Sequence, residues 1–186
     1  YAQPKVRIQD FEVVSILDGA YKAGIFELDL NFENHTSQTT KGTITYKLLD
    51  ATTKIVVSET KLFTSETLKK SVVNFSSTIP NVKQWSAEHP YLYTLVIETK
   101  DNKGKILEVT TSKIGFRSVE IKQGLLLVNG QRITLKGVNA QETDPETGHV
   151  MSEAMILKDI QLWKENNINA VRLSHYPRGR KFYELC

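Results

Sequence analysis

Strict alternation of apolar and polar side chains is the feature that most constrains this chain. Residues 25–32 read Ile-Phe-Glu-Leu-Asp-Leu-Asn-Phe, so Phe26, Leu28, Leu30 and Phe32 share one face. This period of two is that of a β-strand with one buried face. The pattern recurs as far as residue 121, and it predicts strands at residues 7–16, 25–32, 43–48, 54–63, 68–79, 92–99 and 106–114.

Turn signals separate these strands. Asp18-Gly19 and Asp101-Asn102-Lys103-Gly104 are examples. Short strands divided in this way predict a mainly β fold, an immunoglobulin-like antiparallel β-sandwich. The single cysteine, Cys186, is the last residue, so neither an internal disulfide nor a cysteine metal site can be built. The sandwich must therefore be held together by its alternating apolar side chains.

Charge and hydropathy argue against two classes of partner. The 24 basic and 21 acidic residues are mixed along the chain and leave a net charge of +3. A nucleic-acid surface would instead show a basic face or stripe. No apolar run approaches the roughly 20 residues that span a bilayer. We therefore expect neither a nucleic-acid partner nor a membrane partner.

The pattern changes near residue 118. A hairpin with an Asn129-Gly130 turn is predicted over residues 125–135, followed by a polar loop at 139–148. Ser152 can cap a helix over residues 153–166, a short strand follows at 170–173, and a second helix starts at residue 180. Strand, helix and strand form a βαβ unit. We expect a sandwich at residues 1–118 and the N-terminal part of a truncated (β/α)8 barrel at 119–186, within a longer polypeptide.

A polar cluster follows the last predicted strand. Arg172, Ser174, His175 and Tyr176 lie at its carboxyl end, where α/β barrels place their chemistry. A charge in a strand interior is costly unless paired, so Arg172 should meet a carboxylate from another strand and lower its pKa. His175 could donate a hydrogen bond to a ligand hydroxyl. The alternative is that both side chains only tie loops together. No Gly-x-Ser-x-Gly elbow surrounds Ser174, which argues against a serine nucleophile.

Three acidic residues lie in the polar loop. Glu142, Asp144 and Glu146 could supply the paired carboxylates that glycoside hydrolysis needs. Residues two apart in a loop containing proline are more often solvated, and we favour that interpretation. A metal site at Glu142, Asp144 and His149 matches no ligand spacing.

The segment from Trp85 to Tyr93 has two interpretations. Its sequence, Trp-Ser-Ala-Glu-His-Pro-Tyr-Leu-Tyr, is typical of an aromatic corner that fixes the entry into an inner strand. A sugar-stacking platform formed by Trp85 and Tyr91 is the alternative. We favour the structural corner.

Several segments together resemble glycoside hydrolase family 2, and most closely its β-galactosidases. The matching segments are 85–93, Ile114-Gly115-Phe116-Arg117, Leu127-Val128-Asn129-Gly130, Lys136-Gly137-Val138-Asn139, and Asn169-Ala-Val-Arg-Leu-Ser-His-Tyr-Pro177. The resemblance implies a sandwich followed by a barrel that retains anomeric configuration. It also implies that the two catalytic glutamates lie on later barrel strands, so we expect no catalytic residue in this chain.

The resemblance implies a sugar-binding role for four positions. Arg172 corresponds to the arginine beside the nucleophile, and His175 to a histidine that lines the sugar subsite. Asn139 and Gln141 lie in the loop where the family usually has Arg-His-Glu, with Gln141 at the histidine position. This departure leaves β-glucuronides and β-mannosides as alternatives to a β-galactoside. A non-catalytic carbohydrate-binding or scaffold module is the alternative of a different class.

Further expectations concern ions, partners and location. The family implies magnesium or sodium ions in the whole protein but no cofactor in this segment. The rest of the polypeptide is one expected partner. A second copy is another, because the apolar stripe of Ile156, Ile160 and Trp163 would lack its barrel strands. The bacterial cytoplasm and periplasm both remain open as locations.

Overall fold

The computed structural model describes residues 2–186. Within them lie the strands β1 (Val6–Leu17), β2 (Gly24–Asn34), β3 (Thr40–Leu49), β4 (Ile55–Ser65), β5 (Lys70–Ile79), β6 (Tyr93–Asp101), β7 (Ile106–Ile114), β8 (Val119–Lys122), β9 (Leu125–Val128), β10 (Gln131–Arg132), β11 (Gly137–Ala140) and β12 (Ala170–Leu173), and the helices α1 (Glu153–Glu165) and α2 (Arg180–Leu185).

The first seven strands form the predicted sandwich. One sheet has the order β1-β2-β5 and the other β4-β3-β6-β7, and every pair in them is antiparallel. The alternating residues of β2 face the core, as predicted: Phe26, Leu28 and Leu30 have no exposed surface. The predicted immunoglobulin-like sandwich is therefore confirmed.

The two sheets meet through aromatic rings. Phe26 of β2 lies 5.1 Å from Tyr46 of β3 between ring centroids, and Tyr46 packs edge-on against Phe75 of β5. The buried phenol of Tyr46 is satisfied by a 2.7 Å hydrogen bond with the Ser77 hydroxyl. A tyrosine can thus occupy the core because its polar end has a partner.

The strand β8 and the end of the hairpin differ from the sequence prediction. β8 pairs with β9, so the predicted hairpin is a three-stranded meander of order β10-β9-β8. Asn129 and Gly130 have positive φ angles of 51° and 74°, as a tight two-residue turn requires. The second arm stops at Arg132. Beyond it, the Asn169 side chain binds the Thr134 carbonyl at 2.9 Å and the Lys136 amide at 2.8 Å.

The βαβ unit is present in the second half. β11 and β12 pair in parallel, and α1 connects them. The Ser152 hydroxyl accepts a 3.3 Å hydrogen bond from the Met155 amide, and Glu153 lies in the first turn. The predicted N-cap and helix are thus confirmed. Neither helix of the described chain is long and apolar enough to cross a membrane.

Packing divides the described chain into two compact units. One extends to Arg132 and the other is Ile133–Cys186. The meander belongs to the first unit, where the Ser118 hydroxyl accepts from the Leu17 amide and the Asn129 side chain donates to the Trp85 carbonyl, both at 3.0 Å. The predicted domain boundary between residues 118 and 119 rests on the change of sequence pattern, not on packing, and it stays a prediction.

Candidate functional site

The parallel pairing of β11 and β12 brings two predicted site residues together. Asn139 is the register partner of Arg172, so both side chains lie on the same face of the two-stranded sheet. Both residues are exposed, whereas Val138 and Ala140, which alternate with Asn139, are more buried. An open cavity of about 380 Å³ is lined by residues of both strands, Asn139 and Arg172 among them, whereas Gln141 and His175 do not line it.

The guanidinium of Arg172 organises the residues that follow β12. Its Nη1 donates to the Ser174 hydroxyl at 3.0 Å, and its Nη2 lies 3.2 Å from Nδ1 of His175. A guanidinium can only donate, so Nδ1 must be the acceptor and the neutral imidazole carries its proton on Nε2. His175 is therefore prepared to donate a hydrogen bond from Nε2.

The carboxylate partner that the sequence predicts for Arg172 is not among the described residues. Within residues 2–186, no aspartate or glutamate lies within 4.0 Å of its guanidinium nitrogens. Instead, Arg172 is exposed and bound to two neutral side chains of the same loop. The pairing with a carboxylate on another strand stays a prediction.

The loop after β11 carries the last predicted site residue, Gln141, which is exposed. The Asp144 carboxylate of this loop has partners within the loop. A hydrogen bond from the Thr147 amide, with others from the Glu146 amide and the Thr147 hydroxyl, lowers the pKa of Asp144 below its ordinary value. Asp144 thus closes a turn as an ionised acceptor, which supports a structural role for it.

An ion pair between a buried arginine and a half-buried glutamate in the same region was missed by sequence reasoning. Nε of Arg178 lies 3.6 Å from the Glu142 carboxylate, and the Arg178 side chain is only 1% exposed. Arg178 follows Pro177 directly after the polar cluster, which was the available signal. That position alone does not predict burial, because the burial of Arg178 depends on packing against residues such as Glu142 that are far away in the sequence.

The segment at Trp85 forms a corner of the first unit. The Arg117 guanidinium lies 4.7 Å from the centroid of the Trp85 ring. A Cβ atom added to Gly115 would come within 2.9 Å of the Trp85 side chain, so the indole also packs closely on that backbone. Tyr91 packs edge-on against Tyr93. These contacts support the corner over the sugar-stacking platform, since the indole is already covered.

One kind of metal site is absent from the described residues. Among residues 2–186, no group of three His, Cys, Asp or Glu side chains is arranged to hold a metal. His149 instead uses Nδ1 to bind the Glu142 carbonyl at 2.7 Å.

Two family models match almost the whole chain. The model described as "Glycosyl hydrolases family 2" matches residues 6–117. The model described as "Glycosyl hydrolases family 2, TIM barrel domain" matches residues 119–186.

Curated relatives and solved structures agree with this match. The chain is 40% identical to a β-galactosidase of Priestia megaterium and 39% identical to one of Vibrio cholerae, over its whole length in both cases. It spans 18% of the length of each relative. A crystal structure of Parabacteroides merdae β-glucuronidase superposes with a TM-score of 0.85 at 27% identity, covering 98% of this chain and 23% of that one.

A second solved structure shows the fold alone. A family 2 member from Bacteroides cellulosilyticus superposes with a TM-score of 0.91 at 20% identity. That match covers 99% of this chain and 26% of the other.

Proposed function

The chain belongs to glycosyl hydrolases family 2, and from this we propose that its protein is a retaining exo-glycosidase acting on terminal β-D-galactosides. Support comes from relatives of 40% and 39% identity, both β-galactosidases. In this proposal the sandwich is a scaffold, and β11, α1 and β12 are the first elements of the catalytic barrel.

The observation that carries the proposal is the grouping of polar side chains at the carboxyl ends of β11 and β12. Asn139 and Arg172 are register partners, and Arg172 binds His175. Asn139 and Gln141 offer amides that can exchange hydrogen bonds with sugar hydroxyls. His175 would donate from Nε2 to a further hydroxyl. Directional polar groups at this end of a barrel suit a polyhydroxylated ligand.

The proposed chemistry needs two carboxylates, and in this proposal both belong to later strands of the barrel. In a retaining glycosidase, one carboxylic acid protonates the leaving oxygen while the other carboxylate attacks the anomeric carbon. Water then hydrolyses the glycosyl-enzyme. Arg172 would lie beside the nucleophilic glutamate of a later strand, and its positive charge would keep that glutamate ionised. We therefore propose that residues 1–186 alone hydrolyse nothing.

A β-glucuronidase is the second candidate for the whole protein. Gln141 stands where the resemblance to family 2 leads us to expect a histidine, and the Parabacteroides merdae structure at 27% identity is a β-glucuronidase. A β-mannosidase is a further alternative from the same family. A carbohydrate-binding module without catalysis is an alternative of a different class. The Arg172–His175 arrangement argues against this alternative, because a sandwich that only binds carbohydrate does not need these two residues.

A panel of aryl β-glycosides tests the proposal. The 186-residue chain and a polypeptide extended through the whole barrel are assayed on the galactoside, the glucuronide and the mannoside. Turnover of the galactoside by the extended protein alone is the expected result. Preference for a glucuronide or mannoside would show that the galactoside assignment is wrong. Turnover by the 186-residue chain would show that a catalytic carboxylate lies within it, and Glu142, Asp144 and Glu146 would then be tested by substitution with the amides.

The binding-module alternative has its own test. Galactose or an oligosaccharide is titrated into the 186-residue chain while tryptophan fluorescence is followed. Saturable binding that survives removal of residues 133–186 would favour the module. We expect no such binding, because the Trp85 ring is already covered by Arg117 and the Gly115 backbone.

A further inference from the structure

The geometry points to the ion pair between Glu142 and Arg178 as a positioning device for Gln141. The inference rests on the proposed function, in which Gln141 contacts the sugar. Neither charged residue touches the sugar in this scheme. They act by holding the loop that presents the amide.

Arg178 is a fixed anchor. Its side chain is 1% exposed, and its guanidinium lies 4.6 Å from the centroid of the Phe182 ring of α2. Phe182 is itself buried and packs edge-on against Trp163 of α1, with centroids 6.3 Å apart. The guanidinium therefore packs on a ring of α2 that itself packs against α1.

Glu142 is held at two points. Its carboxylate lies 3.6 Å from Nε of Arg178, which is close enough for an ion pair although too long for a hydrogen bond. Its backbone carbonyl accepts a 2.7 Å hydrogen bond from Nδ1 of His149. On the other side of Gln141, the Ala140 carbonyl accepts a 3.0 Å hydrogen bond from the Ser174 amide. Gln141 is thus the exposed residue between two fixed neighbours.

The burial of Arg178 disfavours any conformation of the loop in which Glu142 leaves the ion pair. Among residues 2–186, its Nη1 and Nη2 have no hydrogen-bond partner, and Glu142 is its carboxylate partner. If Glu142 moved away, it would leave a buried guanidinium without a counter-charge, which is strongly unfavourable. The cost of that state restricts the loop to the conformation in which Glu142 points inward. Gln141, the preceding residue, then points outward.

A direct role for Arg178 in sugar binding does not fit the structure. Its side chain is only 1% exposed, so it presents almost no surface to a ligand. Its effect on the proposed reaction must pass through Glu142 and the adjacent Gln141. It is a positioning residue.

A double-mutant cycle in the full polypeptide that contains this segment tests the inference. The paired substitution Glu142→Met and Arg178→Met removes both charges and keeps the buried volume, so the fold should survive. We expect kcat/KM for the best aryl β-glycoside of the panel to fall about ten-fold, since misplacement by about 1 Å can cost 10²-fold. In a Gln141→Ala background, the same paired substitution should change kcat/KM hardly at all.

The control is Arg180→Met, which removes an exposed arginine that pairs with Glu184 on α2. It should leave kcat/KM unchanged. An equal loss from the Met pair in both backgrounds would overturn the positioning role, because a merely structural defect does not depend on Gln141. Loss of folding in the Met pair would overturn it as well. Absence of turnover by the unmodified polypeptide on every glycoside would instead refute the proposed function on which the inference rests.

Discussion

At the scale of single residues, Arg172 has the largest influence on the proposed sugar site. It donates to the Ser174 hydroxyl with one nitrogen and to Nδ1 of His175 with another. These bonds set the tautomer of His175 and keep a positive charge at the carboxyl end of β12. A lysine could supply the charge, but not two directional bonds from a planar fork. The position therefore needs an arginine for two separate reasons.

Substitution of Arg172 separates these reasons. In the full polypeptide, we expect Arg172→Ala to lower kcat by about 10²-fold or more, the loss typical of removing one preorganised donor at a reacting centre. Arg172→Lys should keep part of the activity, because the charge remains while His175 loses its orientation. Steady-state kinetics on the aryl galactoside are the measurement, with exposed Arg180→Lys as control. Full activity of Arg172→Lys would show that only the charge matters.

At the scale of elements, the turn that joins β3 to β4 depends on one carboxylate. Asp50 accepts hydrogen bonds from the Thr52 hydroxyl at 2.7 Å, the Thr52 amide at 2.8 Å and the Lys54 amide at 3.0 Å. The bond from the Thr52 hydroxyl is the main cause that lowers the pKa of Asp50 below its ordinary value of 3.8. Ionised Asp50 therefore closes the turn between two strands that are adjacent in sequence and paired antiparallel in the same sheet.

The lowered pKa of Asp50 predicts a pH dependence of stability. A carboxyl whose pKa is lower in the folded state contributes stability above its unfolded value of 3.8 and loses it as the pH falls through the folded value. Asp50→Asn should therefore be less stable than the parent at neutral pH, and the difference should shrink as the pH falls below 3.8. Melting temperatures across this range are the measurement. Exposed Glu88→Gln is the control, and a difference that stays constant with pH would contradict the prediction.

At the scale of the whole molecule, the described chain consists of two compact units that meet in sequence after Arg132. The β8–β10 meander packs with the first of them, because Asn129 binds the Trp85 carbonyl and Ser118 binds the Leu17 amide. The sequence prediction instead separates the modules after residue 118. The two divisions differ in which module contains the meander, and they therefore place the exposed, cleavable backbone at different positions.

Limited proteolysis distinguishes the two divisions. Brief digestion of the 186-residue chain with trypsin, followed by mass spectrometry, should release a resistant fragment that ends near Arg132 rather than at Arg117. The reason is that the meander is tied to the sandwich by hydrogen bonds, whereas residues 133–136 follow its last strand. The control is Asn129→Ala, which removes the bond to the Trp85 carbonyl and should increase cleavage before β9. A fragment that ends at Arg117 in the parent chain would contradict this expectation.

Much of the architecture follows from patterns with a local cause. Alternation at residues 25–32 predicted β2 because a strand with one buried face needs that period. Ser152 and Glu153 predicted the start of α1 because they satisfy the free amides and the dipole of a first helical turn. The Asn129-Gly130 pair predicted the tight turn because both residues adopt positive φ angles at little cost. The candidate cluster after β12 was likewise visible, since it follows a short apolar strand.

The sequence by itself determined the strands, the turns and the helix, because each depends on neighbours within a few positions. The sugar-binding residues come from the resemblance to family 2, and their role stays a prediction. Only the tertiary structure decided which of them meet. The parallel register places Asn139 beside Arg172, although the two residues are 33 positions apart in the sequence. The hydrogen bonds of the Asn169 side chain to Thr134 and Lys136 also join distant positions. The burial of Arg178 against Phe182 and Glu142 is the extreme case. A buried charge is set by the packing around it, and no local pattern records that packing.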